Sequence, residues 1–512
     1  MSKKDKLHAL IKVMTPSEKR AFKIFANRHV IGQKNNYVKL FDSLDKQKEY
    51  DEDALIKSLG GLKYAKYLSA DKYYLYGLTL NSLDSFHSNS SIDNKLHRQL
   101  HFIEVLFEKG LYGQAGKLME KCKKLAETHD KYEELLRIKH WEREIVMRQG
   151  TPEGLVVFLE NHYQEVHQIL KVLTNRYMYH TTADRIFALH KTKGMARSPQ
   201  DLEAYHKLYN KELLDNEAGA LCYDAKRLLY ASRMFYFHAT GEVNKSHEAR
   251  RKLVQLIEGN PERMKAHIRS YIYALNNLLI SCILTRNELE FHEVLSKLTS
   301  IPDHIPSTSL TQDMRVRIFE SRYIHETDFL IKFARFKEGA QLCDQIEQEL
   351  ENIIDQVDHA FLLTLYNNMM VLYFGAGEYK KALKWLNLIL NERTGDTRED
   401  IMCYARIINL IIHYELNNHL ILPYLLRSTY RYLSQKKPPL KYERLVMDTM
   451  RKILRTRNPE ALPGLLSSLR DKLLPLADDP FERIMTEDLN LIAWLESKVS
   501  DTTYAEIAAN QT

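Results

Sequence analysis

The chain has 512 residues, a formal net charge of +7 at pH 7, 44% hydrophobic residues and 28% charged residues. This length exceeds what one core holds, since single cores stop growing near ~250–300 residues, so the chain must divide into domains or extend as a repeat array. The composition excludes wholesale disorder and a membrane bundle, and 18 Gly with 13 Pro are few enough to favour long regular elements.

The N-terminal sequence MSKKDKLHALIKVM has the basic start of an export signal, but His8 and Lys12 interrupt its apolar stretch. No small-residue cleavage site follows, so we expect a cytoplasmic location. No apolar run approaches the ~18 residues of a spanning helix, so we expect no membrane insertion. The five cysteines are widely spaced and form no C-x-x-C pair, which argues against a disulfide framework and a zinc ribbon.

Residues 1–90 are predicted to form an N-terminal helical bundle. The sequence TPSE at 15–18 combines an N-cap threonine, a proline at the first helical position and the glutamate of a capping box. Another helix is predicted to begin at the acidic run 51–53 and to end at Gly60-Gly61, before a long helix that reaches the polar loop near residue 87. These signals predict about five helices.

From residue 95 to 435 a different pattern repeats, consisting of a helix, a tight turn and a second helix. In its clearest copy, Tyr373 lies on the apolar face of a first helix, Gly377 breaks the helix, and Tyr379 and Ala382 begin a second apolar face. Ala382 is small where the two helices are expected to cross, as ridges-into-grooves packing favours.

A weaker copy of the pattern spans 99–126, where Gly110 marks the turn and Ala115 the small position. Turn markers recur along the chain at intervals of 40 to 47 residues, a period typical of a helical solenoid. These markers are Gly110, Gly150, Gly194, Gly241, Asn287, Ala334, Gly377 and Asn418.

The stretch 362–395 resembles a tetratricopeptide repeat. In that family a tyrosine near the end of the first helix precedes a glycine–acidic–tyrosine turn, and an alanine three residues later opens the crossing, as in Tyr373, Gly377-Glu378-Tyr379 and Ala382. The resemblance covers 95–435 and implies a superhelix with a concave, partner-binding surface and no catalytic activity. Because the intervals exceed the family's 34 residues, longer helix pairs of the HEAT type also fit.

Residues 436–512 are predicted to form a helical C-terminal cap, since the sequence KKPPLK at 436–441 breaks the periodicity. A last amphipathic helix is predicted over 481–499, and residues 501–512 are expected to be frayed. The predicted fold is therefore an all-α, α-α superhelix of helical-repeat solenoid type, with an N-terminal bundle and a C-terminal cap.

No motif of the chain predicts catalysis, a cofactor or a metal site. Residues 110–118 resemble a phosphate-binding loop, but the first glycine lies one residue too early, Leu118 replaces the Mg²⁺-binding hydroxyl, and the preceding segment is predicted to be helical. His97, His101 and Glu104 have a spacing that suits one metal ion. They flank an apolar stripe, however, so we expect them on the polar side of a helix.

The favoured function is a non-catalytic scaffold that binds a protein or peptide on the concave face of the repeats. The alternative is a nucleic-acid-associated or regulatory protein that uses two basic segments. Residues 1–50 carry 12 Lys/Arg against 5 Asp/Glu, residues 427–457 carry 10 against 2, and a helix-turn-helix around 53–72 would fit the same alternative. The candidate binding residues are Arg427, Arg431, Lys436, Lys437, Lys441, Arg444, Arg451 and Arg455.

Overall fold

The computed structural model describes residues 5–27, 36–87, 92–196, 198–305, 310–391, 399–436, 440–456, 458–477, 482 and 489–511. Throughout these ranges the regular secondary structure is helical, and no strand occurs in them. The predicted all-α class is therefore confirmed.

The helices are numbered here in chain order. They are α1 Lys6–Val13, α2 Pro16–Asn27, α3 Asn36–Lys46, α4 Glu52–Leu59, α5 Leu62–His87, α6 Ile92–Glu108, α7 Tyr112–Thr128, α8 Tyr132–Gln149, α9 Pro152–Lys193, α10 Pro199–Leu208, α11 Lys211–Leu214, α12 Tyr223–Ala239, α13 Val243–Glu258, α14 Pro261–Ala266, α15 Ile268–Leu284, α16 Glu288–Thr299, α17 Ile301–His304, α18 Gln312–Lys332, α19 Phe336–Leu350, α20 His359–Gly375, α21 Tyr379–Leu390, α22 Glu399–Glu415, α23 Leu422–Lys436, α24 Lys441–Arg455, α25 Leu462–Leu473, α26 Leu491–Val499 and α27 Tyr504–Gln511.

The chain packs as two units. The first comprises residues 1–181 and 211–228, and the second comprises residues 182–210 and 229–512. The boundary between 181 and 182 falls within the long helix α9. The domain limits predicted from the sequence remain predictions.

In the first unit, helices α1 to α5 share one apolar core, in which the rings of Phe22 and Phe41 stack with centroids 4.2 Å apart. The predicted capping box is present at the start of α2. The Thr15 N–H donates to Glu18 Oε2 at 2.7 Å, and the Glu18 N–H donates to Thr15 Oγ1 at 3.3 Å. The two reciprocal bonds satisfy backbone groups that the first helical turn leaves open.

A second core of the first unit joins α6, α7 and α8. Ala115 is fully buried in it, together with Ile103, Cys122 and Ile138. Gly110 takes the left-handed conformation (φ +73°) in the turn between α6 and α7. The small residue and the turn glycine of the weaker repeat copy therefore lie where a tight helix pair needs them.

One turn motif recurs between paired helices. A residue with positive φ ends the first helix, and the next N–H donates to the carbonyl five residues earlier, as in a Schellman motif. The positive-φ residues are Gly110, Asp130, Gly241, Arg286, Ala334, Gly377 and Asn417, and the corresponding N–H···O distances run from 2.8 to 3.0 Å. In the second unit the turns at 241, 286, 334, 377 and 417 are spaced by 45, 48, 43 and 40 residues.

Six of the eight predicted turn markers agree with these positions, Gly150 and Gly194 do not, and the turn at Asp130 was not predicted. Asn287 and Asn418 each follow the positive-φ residue by one position. Gly150 ends α8 as predicted, but its φ of −74° is not left-handed, so this turn differs from the others. Gly194 follows the end of α9 with a φ of +66°. Asp130 was missed because an aspartate at a helix end carries no distinctive turn signal.

The helix pairs of the second unit pack in a regular order. The second helix of each pair contacts the first helix of the next, through α13 with α15, α16 with α18, α19 with α20, and α21 with α22. Successive first helices also contact each other, through α15 with α18 and α18 with α20. Close approach is built in between α19 and α20, where a β-carbon on Gly375 would overlap the Phe336 ring and one on Gly339 would overlap Leu372.

The C-terminal residues differ from their prediction. Residues 501–512 were expected to be frayed, but α27 covers Tyr504–Gln511 and buries Tyr504, Ile507 and Ala508. The Tyr504 ring lies 5.4 Å from Phe336 and 5.5 Å from Phe374, centroid to centroid. These apolar contacts anchor the terminus. The predicted helix 481–499 corresponds to α26, and residues 481 and 483–488 lie outside the described part of the chain.

Candidate functional site

A groove with a volume of about 470 Å³ lies in the second unit between α15, α18 and the start of α20. Its apolar surface includes Ile272, Ile324 and Phe361. Tyr273 adds an aromatic ring that is 49% exposed. Apolar surface with an accessible tyrosine suits the burial of an apolar side chain from a ligand.

Asn276 supplies the polar centre of the groove. Its Oδ1 accepts hydrogen bonds from Ser321 Oγ at 2.7 Å and from His325 Nε2 at 2.9 Å. In this arrangement the carbonyl end of the Asn276 amide faces Ser321 and His325, and the Nδ2 end faces away from them. The Nδ2 group makes no hydrogen bond within the described residues, so its two N–H donors remain for a ligand carbonyl.

His325 holds this arrangement in a neutral state. The side chain is 5% exposed, and burial lowers the pKa of its imidazole to about 4. At neutral pH the ring is uncharged, and its Nε2–H donates to Asn276. Because the donor is buried and fixed, the Asn276 amide is oriented before any ligand arrives.

Charged residues form the rim of the groove. Arg269 Nη2 lies 2.8 Å from Asp313 Oδ2, and Arg317 Nη1 lies 3.4 Å from Glu320 Oε2. The two arginine side chains are 71% and 61% exposed. Exposed ion pairs of this kind contribute only ~0–1 kcal/mol to stability, so either arginine can exchange its partner for an acidic group of a ligand at small cost.

The basic residues predicted as a binding patch lie on α23 and α24, which pack against each other. Arg427 and Arg431 are exposed on α23. On α24, Lys441, Arg444 and Arg455 are exposed and Arg451 is half-buried. Lys436 is the last residue of α23, and Lys437 lies outside the described residues.

One contact links the two basic helices directly. The Arg451 guanidinium lies 5.7 Å from the centroid of the Tyr430 ring, which is 53% exposed. Tyr430 is three residues after Arg427 and directly before Arg431, so Arg451 approaches the part of α23 that bears these arginines. Whether the remaining basic residues form one patch stays a prediction.

The repeat-defining residues of the clearest copy serve packing. Tyr373 is fully buried and its hydroxyl donates to Asp344 Oδ1 at 2.7 Å, while Lys381 Nζ lies 3.0 Å from the same oxygen. Gly377 has a φ of +80° in the turn. Tyr379 contacts the ring of Phe374, and Ala382 is fully buried.

A second cavity of about 450 Å³ lies in the first unit between α6 and α8. It is lined by His97, His101 and also His140, which the sequence pattern did not reveal. His97 Nε2 lies 3.2 Å from Glu134 Oε1, whereas His101 Nδ1 lies 3.3 Å from Glu104 Oε2. The two imidazoles therefore face different carboxylates and do not converge on one point.

A third cluster has the composition of a metal site. Ligand atoms of His247, Cys282 and Glu290 lie within 4.8 Å of one another. Arg251 already makes two hydrogen bonds to the Glu290 carboxylate, at 2.7 and 2.8 Å. Burial raises the pKa of the Cys282 thiol to about 12. A metal ion would have to displace the guanidinium and ionise this thiol, so the cluster is a buried ion-pair network.

The groove residues could have been noticed in the sequence but were not. Asn276-Asn277 is a polar pair inside the otherwise apolar run YIYALNNLLI, and such a pair in a helix needs partners. In the described residues no helix combines the length and apolarity needed to cross a membrane. Comparison of the chain with protein-family models, curated proteins and solved structures found no match.

Proposed function

We propose that this chain is a cytoplasmic, non-catalytic binding protein whose groove between α15, α18 and α20 holds a peptide segment of a partner protein. The observation that carries the proposal is the Asn276 amide, held by Ser321 and His325 above an apolar surface. An amide with free N–H donors recognises a peptide carbonyl, and the surrounding apolar surface takes a side chain. The five cysteines are free thiols, which suits a reducing compartment.

The proposal includes the finer architecture. The helix pairs stack as a superhelix similar to tetratricopeptide-repeat proteins, and the groove lies on its concave face. Two findings support this arrangement: the recurrence of one turn motif at intervals of 40 to 48 residues within the second unit, and the position of the groove on three successive first helices. Repeat proteins of this kind bind their partners on the concave surface.

The test is a selection of peptides from a random display library on the immobilised full chain. We expect enriched peptides that share an apolar or aromatic residue and that lose at least tenfold in affinity for Tyr273→Ala. The matched control is Tyr424→Ala, since Tyr424 is 67% exposed on α23, away from the groove. Failure to enrich any peptide, or equal binding to both variants, contradicts the proposal.

A second candidate function is nucleic-acid binding through α23 and α24. It is favoured by the contact of Arg451 with the exposed ring of Tyr430, since nucleic-acid surfaces combine cations with aromatic rings. Arg427→Glu with Arg431→Glu should weaken binding to single-stranded RNA or DNA and reduce its salt dependence. Lys117→Glu with Lys121→Glu, an exposed pair of the same spacing on α7, is the control. Binding indifferent to salt and to both pairs excludes this candidate.

A further inference from the structure

Arg250 is a buried cation without a counter-charge. It lies on α13 and is 5% exposed. Its Nε is buried and has no hydrogen-bond partner. Within the described residues no carboxylate lies at ion-pair distance from it. A buried guanidinium normally has an acidic side chain beside it. Because the protein supplies none here, a bound anion could take that place.

Two histidines from other helices lie near this guanidinium. His190 of α9 and His238 of α12 have ring centroids 5.5 Å apart, and both are half-buried in the second unit. The charge of Arg250 acts on both imidazoles. His190 Nδ1 is itself buried without a hydrogen-bond partner. Three nitrogen-bearing side chains from three helices therefore lie in one region, and within the described residues no carboxylate is at ion-pair distance from Arg250.

The other titratable groups facing Arg250 do not provide the missing charge. Tyr273 and Cys282 of α15 act on it electrostatically, but neither is a carboxylate. His247, one turn before Arg250 on α13, lies 2.9 Å from Glu290 Oε2. Glu290 is already paired with Arg251. The nearest acid of this network is therefore neutralised by other groups.

We propose that Arg250, His190 and His238 form a binding site for a phosphate-type oxyanion. Guanidinium groups bind two oxygens of such an anion through parallel N–H donors. The rings of His190 and His238 bring further nitrogens beside the guanidinium, although the Gly194 backbone carbonyl already acts on the His190 ring. The anion is either free inorganic phosphate or a phosphoryl group esterified to a larger molecule. The residues assigned to this site differ from those of the peptide groove, although Tyr273 of the groove also faces Arg250.

The geometry gives binding a pH dependence of defined sign. Burial and the charge of Arg250 lower the pKa of both imidazoles, that of His238 to about 4, so both are neutral at pH 7. A bound anion favours their protonated form and raises these pKa values. Binding therefore takes up protons, and the affinity for an oxyanion of constant charge, such as sulfate, increases as the pH falls from 8 to 6. Phosphate itself becomes less negative over the same range, which opposes this trend.

The experiment is calorimetric titration of the full chain at pH 8 with inorganic phosphate and, separately, with phosphoserine, and at pH 8 and pH 6 with sulfate, whose charge does not change, all in chloride of matched ionic strength. We expect saturable binding of phosphate or phosphoserine, and sulfate binding that is several-fold tighter at pH 6. Binding of phosphate alone identifies the free ion, and binding of phosphoserine identifies an esterified phosphoryl group. Absence of saturable binding of both probes up to about 10 mM overturns the proposal.

Three variants locate the site. Arg250→Met keeps the apolar stem and removes the buried charge, so we expect an intact fold and a loss of binding of at least tenfold. Arg315→Met removes an exposed arginine of α18 that lines neither site and is the control. His190→Gln with His238→Gln retains amide donors and should bind sulfate with little dependence on pH. Unchanged binding by Arg250→Met contradicts the assigned site. An unchanged pH dependence in the histidine double variant also contradicts it, and this result does not depend on how well Arg250→Met folds.

Discussion

The two cavities between first helices show how similar helix pairs produce different surfaces. The groove of α15, α18 and α20 has a buried neutral histidine, and this histidine fixes the amide of Asn276. The cavity of α6 and α8 has His97 and His101 near the surface, each facing its own carboxylate. The polar groups of the groove are therefore held by a buried side chain, whereas those of the cavity between α6 and α8 are held by solvent-exposed pairs. This difference is why we assign ligand recognition to the first.

The same contrast holds for the packing between helices. Gly339 and Gly375 lie where neighbouring side chains leave no space for a β-carbon. Gly113 and Gly116, on α7 of the first unit, have open space around the corresponding position. Glycine is therefore required by close helix approach in the second unit and is replaceable in α7.

The largest expected effect is that of Gly375→Ala. The new β-carbon would overlap Phe336, whose ring is held by Tyr504 at 5.4 Å. Overpacking of this kind costs ~1–3 kcal/mol, and we expect the upper half of that range because the ring cannot rotate away. Chemical denaturation of the full chain measures it. A free energy of unfolding equal to that of the wild type would show that α19 and α20 do not approach so closely.

Ala382→Leu should also lower the free energy of unfolding, by ~1–3 kcal/mol, since Ala382 is fully buried on α21. Ala115→Leu tests the same position of the weaker repeat copy, because Ala115 is also fully buried. The exposed control is Ala360→Leu in the first turn of α20. If the two buried alanines tolerate leucine as well as the control does, the small residues do not mark helix crossings.

Gly116→Ala should have the opposite sign. The position is helical and open, so alanine stabilises the helix by ~0.5–1 kcal/mol relative to glycine. Gly116→Ala and Gly375→Ala add the same methyl group, and the two sites differ in the room available around the new β-carbon. Destabilisation by both substitutions to the same extent would contradict the contrast between the two regions.

His325 predicts a smaller, pH-dependent effect. Its pKa is about 4 in the folded protein, against about 6.5 for an unperturbed histidine. Between these values the unfolded chain binds a proton that the folded chain does not, so stability falls as the pH drops from 7 toward 4. Denaturation midpoints of wild type and His325→Asn, measured at pH 7 and pH 5, should show a weaker decrease in the variant. An identical decrease would mean that His325 is not buried as a neutral ring.

Much of the fold could be predicted from local sequence, because helix ends are determined locally. TPSE at 15–18 forms its capping box, and Gly110, Gly241 and Gly377 take the left-handed turn conformation that glycine permits. Arg286 has the same conformation, but its side chain gives no signal of it. The sequence also did not predict that the C-terminal residues form a packed helix, because Tyr504 is held by aromatic rings that are far away in the sequence.

The candidate site was harder to predict because its geometry is non-local. Ser321 and His325 lie 45 and 49 residues from Asn276, and only the packing of α15 on α18 brings them together. The basic residues of α23 and α24 were easy to find, since charge is visible in a sequence. Charge alone, however, does not indicate whether the side chains are oriented for a ligand.

Hydrogen–deuterium exchange of the full chain, with and without a peptide from the display selection, tests the central claim most directly. The account predicts that the bound peptide slows exchange in α15, in α18 and at the start of α20, with no change in α23 and α24. Protection confined to α23 and α24, or to the cavity between α6 and α8, would contradict the assignment of the groove as the binding site.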